Sequence, residues 1–172
     1  PWDREQAKLN SHHHFGDVHV LALDSLVTGM PYGLLGADTL SWLDNKLRCL
    51  ADQPVMIALH HPPFQTGIAH MDVQKLSNPD ELLDLIASHN GAKITVCGHI
   101  HRYISSFHAC GPIIIGPSVA HAVDLDFTVD GPSQFNLEPG GFLLHSYDQK
   151  LGSFSSQFVA IGPHEGPYPF SV

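Results

Sequence analysis

Val55-Met56-Ile57-Ala58-Leu59-His60-His61-Pro62-Pro63 is the stretch on which the fold turns. Five apolar residues in a row, too few for a helix and without polar alternation, predict a strand buried on both faces. Pro62 and Pro63 then end it, because proline has no N–H to give to a ladder. The same construction recurs at Ile94-Thr95-Val96-Cys97-Gly98-His99-Ile100-His101, where a short apolar strand runs into histidines and Gly98 allows a tight turn. A third apolar run, residues 18–23, ends at Asp24. Helical patterns lie between them. Leu40, Leu43, Leu47 and Leu50 recur at helical spacing, with Asp38 the expected N-cap and Lys46 and Arg48 near the C-terminal end. A second helix is expected from Pro79-Asp80-Glu81, its apolar face formed by Leu82, Leu83, Leu85 and Ile86. Later in the chain, residues 113–115, 142–144 and 154–159 read as strands joined by turns. The expected class is α/β grading into α+β: mixed sheet flanked by helices, with a β-rich C-terminal end. No repeat or low-complexity linker divides residues 1–172, so one domain is expected.

The chain has 172 residues, 43% of them hydrophobic, which suffices for a packed core. Seventeen acidic against eight basic residues give a net charge of −9. That balance excludes a general nucleic-acid surface, which needs clustered Lys and Arg. No apolar run approaches the ~18–20 residues of a spanning helix, so no membrane partner is expected. Pro1-Trp2-Asp3-Arg4-Glu5 shows no basic region followed by an apolar stretch, so no secretory signal is expected there. Cys49, Cys97 and Cys110 are odd in number and lack C-x-x-C spacing. Buried free thiols in a reducing cytoplasm are the expectation.

Histidine is the outlier, at fourteen residues. In α/β sheets the carboxyl ends of strands form the crevice where ligands bind. His60 and His61 follow one strand, and His99 and His101 another. Residues at i and i+2 after a strand can face one cavity, and imidazole suits Zn, Fe, Ni and, with carboxylates, Mn. These residues are therefore metal-ligand candidates.

Leu59-His60-His61-Pro62-Pro63-Phe64 and Gly98-His99-Ile100-His101 resemble the last two metal motifs of the calcineurin-like metallophosphoesterases. The run from Pro62 through His70-Met71-Asp72, and Leu23-Asp24-Ser25 ahead of Leu40-Ser41-Trp42-Leu43, are similar to the cyclic-nucleotide and glycerophosphodiester phosphodiesterase branch. The resemblance implies part of a four-layer αββα sandwich and two divalent metal ions, Fe, Mn or Zn. It implies phosphodiester hydrolysis by metal-bound hydroxide at a binuclear site in the complete protein. By position it assigns His60 and His99 to the second metal and His101 to the first, leaves His61 a supporting role beside them, and makes His121 a candidate substrate contact. A small phosphodiester is the implied substrate and a homo-oligomer the implied assembly, with a dimer surface around Glu138-Pro139-Gly140-Gly141-Phe142.

The sequence departs from that family in one respect. Asp-x-His, Gly-Asp and Gly-Asn-His motifs are absent upstream of residues 18–23, and with them the bridging carboxylate. Gly16-Asp17-Val18-His19 has some of the spelling, but at the entrance to a strand that matches a later family segment. The expectation is the C-terminal portion of a metallophosphoesterase domain, with sheet edges left exposed and weak activity on its own. His12-His13-His14 is expected in a solvated loop, and Asp124 and Asp126 on one face of a strand as solvated carboxylates. Two other readings stay open. One is a non-catalytic binding or oligomerising module; the other is a single zinc ion on His60, His99 and His101.

Overall fold

Five-residue apolar runs cannot hide their backbone alone, and in the computed structural model they pair side by side. The structure describes residues 8–163 and 165–170; the reading made at Pro1–Glu5 lies outside them. β2 (Val18–Leu23), β3 (Val55–Leu59) and β4 (Lys93–Cys97) form a parallel array, with Leu23 level with Leu59 and Leu59 level with Cys97. β6 (Gly111–Ile115) continues it in parallel beside β4. The antiparallel strands β1 (Ser11–Phe15) and β5 (Ile104–His108) flank it, giving the order β1-β2-β3-β4-β6-β5. β1 and β5 are the outermost strands, so the sheet is open and its two edges lie along them. β1 is the strand that His12-His13-His14 was expected not to form. It arises because Gly16, at φ +58°, lets the chain fold back as a hairpin and β2 offers an unpaired edge.

α1 (Ala37–Leu50) crosses from β2 to β3, and the single turn α2 (Ala69–Asp72) followed by α3 (Pro79–Ser88) crosses from β3 to β4. Asp38 is not the N-cap of α1. Gly36 takes that place, and Asp38 sits in the first turn, where its charge meets the helix dipole. Pro79 starts α3 without losing a hydrogen bond, since the first-turn N–H has no partner within a helix. Leu43, Leu47 and Leu50 of α1 and Leu82 and Ile86 of α3 pack on Leu21, Leu23, Val55, Ile57 and Leu59. Those strand residues alternate along β2 and β3, so one face of the sheet is the core. Cys97 and Cys110 are buried as expected, whereas Cys49 is exposed on α1 beside Arg48, away from the buried leucine stripe.

The opposite face carries β9 (Gly141–Asp148) and β10 (Ser153–Ala160), an antiparallel hairpin over Val20 and Met56. Helices, a six-stranded sheet and a hairpin make a mixed α/β architecture. Between β6 and β9 lies only the two-residue pair β7 (Ala122–Val123) and β8 (Phe135–Asn136). The strand expected under Asp124 and Asp126 is absent. Asp124 instead accepts a bond from Asn136 Nδ2 (3.1 Å), and Asp126 accepts one from the Thr128 N–H (2.8 Å) in a turn.

Candidate metal centre

β3 and β4 are parallel neighbours, so the residues that leave their C-terminal ends meet. His60 Nε2 lies 3.1 Å from His99 Nδ1. His61 completes the group, with ring centroids 4.8 Å from His60 and 4.9 Å from His99. One nitrogen from each ring falls within 4.8 Å of the others, and among the described residues no carboxylate joins this group. β2 contributes as well. Asp24 accepts bonds from the N–H groups of Leu9 and Leu26, and this turn sets Ser25 Oγ 2.8 Å from His61 Nδ1. Leu23-Asp24-Ser25 thus acts on the centre from a third strand end.

Two close approaches shape the group. Gly98 lies against His60, where a Cβ would stand 3.4 Å from Nδ1. Gly33 is tighter: a Cβ there would stand 2.5 Å from His61 Cγ and Nδ1. Gly33→Ala is therefore expected to push the His61 ring off Ser25 and weaken divalent-metal binding about 10- to 100-fold. A cobalt titration measures this, and an unchanged affinity would refute it.

His99 and His101 diverge although they are two residues apart. Both hold left-handed backbone, φ +72° and +58°, with Ile100 buried between them. Such backbone costs an L-residue ~1–2 kcal/mol and persists where surrounding contacts impose it. The turn sends His99 to His60 and His61, and His101 to His121, whose Nε2 is 3.0 Å from His101 Nδ1. Next in sequence, Arg102 donates to the Val123 carbonyl (2.7 Å) and to both Glu138 carboxylate oxygens (2.9 and 3.0 Å). That fork fastens the turn to the segment carrying His121. Its part was not legible from sequence, because Arg102 and Glu138 meet only in the fold. A cavity of about 210 Å³ lies beside it, lined by His101, Tyr103, Ser118, His121 and Phe158 among others.

The residues suit a metal. His99 Nε2 is buried without a hydrogen-bond partner, a donor atom left for something else to meet. Burial, then the neighbouring His60, His61 and His101, pushes His99 down to about 4. Burial lowers His60, His61 and His101 as well, each helped by an adjacent histidine. Neutral imidazoles present lone pairs at neutral pH, as metal ligands must. Stability follows the same chemistry. In the unfolded chain these groups take up protons near their ordinary value of 6.5, before the folded chain does. Their contribution is present above about pH 6.5 and declines as pH falls below it, that of His99 until about pH 4. Denaturant midpoints without added metal are expected to drop across that window, and a flat profile would refute it.

No family model matches the chain. Known proteins do. It is 34% identical over 154 residues to the "Probable glycerophosphodiester phosphodiesterase GpdQ" of Arcobacter nitrofigilis, covering 89% of this chain and 56% of that protein. It is 30% identical over 166 residues to the 3′,5′-cyclic adenosine monophosphate phosphodiesterase CpdA of Vibrio vulnificus, covering 92% of this chain and 59% of that one. A solved structure titled "GAP50 the anchor in the inner membrane complex of Plasmodium" matches with a TM-score of 0.56 at 14% identity, over 90% of this chain and 50% of that chain, a likeness of fold alone. The chain spans about half the length of the curated relatives it matches. Strand-end histidines and phosphodiesterase relatives are together consistent with the calcineurin-like metallophosphoesterase family. Over the portion that it spans, its likeness is to the glycerophosphodiester and cyclic-nucleotide phosphodiesterase branch.

Proposed function

We propose that this chain supplies the histidine side of a binuclear phosphodiesterase centre that hydrolyses small phosphodiesters. The observation that carries the reading is the convergence of His60, His61 and His99, with the buried Nε2 of His99 left without a partner. His60 and His99 would hold one divalent ion and His101 the other, with Fe, Mn and Zn all suited to the donors. When bound, the ions supply charge that polarises the ester and acidifies a water.

The chain's own residues do the positioning. Ser25 fixes the His61 ring through its Nδ1. His121, backed by the Phe135 ring at 5.0 Å, faces the cavity beside His101 and would orient the ester. Imidazoles alone would leave two ions strongly cationic, so the reading assigns bridging carboxylates to polypeptide outside this sequence. The match covers 56% of the Arcobacter relative, which leaves room for them. A non-catalytic module would give no reason for three uncharged imidazoles to share one point.

Finer parts of the reading rest on surface features. Exposed Leu125, Phe127, Val129, Phe135 and Leu137 support a homo-oligomer. Three free cysteines suit a reducing compartment such as the cytoplasm. No helix among the described residues is long and apolar enough to cross a membrane.

The test compares this chain with an N-terminally extended version on bis(p-nitrophenyl) phosphate with Mn²⁺. The extended form is expected to hydrolyse the diester and the chain alone to do so poorly. Equal, robust turnover by both would overturn the assignment of ligands outside this sequence. No metal-dependent turnover by the extended form would overturn the function.

A further inference from the structure

The sequence holds a second concentration of histidine that the centre above does not use. β1 carries His12, His13 and His14, and its register with β2 sets His14 opposite His19 and His12 opposite Leu21. Alternation along a pleated ribbon then puts His12, His14 and His19 on one face and His13 on the other. His19 lies level with Val55 at the entrance of β3, the end of the sheet opposite His60.

We propose that His12, His14 and His19 form a site for one divalent transition-metal ion of the zinc class, which pins the edge strand β1 to the sheet. The buried His19 is the fixed member. Its Nε2 is 2.6 Å from Gln53 Oε1, which can only accept, so the proton sits on Nε2 and the lone pair on Nδ1. A ring nitrogen bonded to a carbonyl oxygen on its far side is how metal-binding histidines are commonly oriented. Nδ1 faces His12 Nε2 at 2.9 Å, so two donors already converge. His14 stacks on His19, ring centroids 4.2 Å apart and planes within 2°, and it is exposed, so its ring can turn to the same point.

Two histidines at i and i+2 on one strand with a third on its antiparallel neighbour give three nitrogens and leave one position for water, a set that zinc accepts. Nitrogen donors favour Zn²⁺, Ni²⁺ or Cu²⁺ over Mg²⁺ and Ca²⁺. Lys46 of α1 is the lysine whose charge acts on His12, alongside the neighbouring histidines.

The test uses the full chain in a background carrying H60A and H99G, which removes the strand-end centre. Calorimetric titration with Zn²⁺ is expected to show one remaining site, and Co²⁺ is expected to give the absorption of a nitrogen-rich tetrahedral ion. H12A and H14A, both at exposed positions, should each weaken Zn²⁺ at least tenfold. H13A should leave it unchanged, because His13 points to the other face and bonds Ser11 Oγ. Zn²⁺ should also raise the melting temperature of the H60A/H99G protein and not of the same protein carrying H12A and H14A in addition. Absence of a second site in the background would overturn the proposal. So would H13A weakening Zn²⁺ as much as H12A, the mark of indiscriminate chelation by a run of three exposed histidines.

Discussion

Replacing His99 with glycine is expected to cut divalent-metal affinity at the strand-end centre by at least about 100-fold while leaving the fold as stable as before, or more so. The two effects have separate causes. Loss of the imidazole removes the donor that His99 shares with His60 and His61, and disturbing even a supporting residue around a metal commonly costs 10- to 100-fold. Backbone at φ +72° is strained for histidine and relaxed for glycine. H99A separates them: it loses the same donor but keeps a Cβ in left-handed backbone. It should therefore melt below H99G by roughly 2–4 °C, the equivalent of about 1 kcal/mol in a domain of this size. Cobalt titration and thermal denaturation of the three proteins check both halves. Metal affinity unchanged in H99G would remove His99 from the centre. H99G melting well below H99A would show that the turn is held by the ring and not strained by it.

The largest expected loss of stability comes from Ile57→Ala. Ile57 is fully buried in the middle of β3, level with Leu21 on one side and Thr95 on the other, and it faces the helices. Truncating such a residue costs ~2–5 kcal/mol from lost burial and the cavity that remains. At 2–4 °C per kcal/mol the melting temperature should fall by roughly 4–20 °C. The adjacent Met56→Ala is the informative control, because Met56 points to the other face and lies in an open groove beneath Tyr147 and Phe154. It should cost well under half as much. Equal losses would mean that the hairpin face is packed as tightly as the helical one.

Those two neighbours also show how far periodicity reaches. Residues 55–59 read correctly as a strand, and so did residues 18–23 and 94–97, because an unbroken apolar run between turn residues leaves few alternatives. An unbroken apolar run points to burial on both faces, whereas β3 alternates between buried and half-buried positions. Composition records that a residue is apolar, not which neighbour covers it. The helices were legible from leucine spacing, but the start of α1 was misplaced by the appeal of Asp38 as a cap. Gly36 opens the helix, and Asp38 serves as a first-turn charge instead. β1 and β5 escaped notice because edge strands carry polar residues such as His12-His13-His14 and Ser105-Ser106, which resemble loops until a neighbour offers a ladder.

At the candidate centre the sequence, by itself, determined which histidines stand just beyond buried strands. A histidine placed just after a buried strand has its backbone aimed by that strand, so His60, His61, His99 and His101 were legible as one chemical group. What only the tertiary structure decided is how they divide. The left-handed backbone at His99 and His101 sends one ring to His60 and the other to His121. Ser25 and Gly33 reach His61 from distant parts of the chain, and Arg102 meets Glu138 far along the sequence. Strand ends are local consequences of apolar pattern. The direction of a side chain beyond them is set by packing among segments that no local pattern relates.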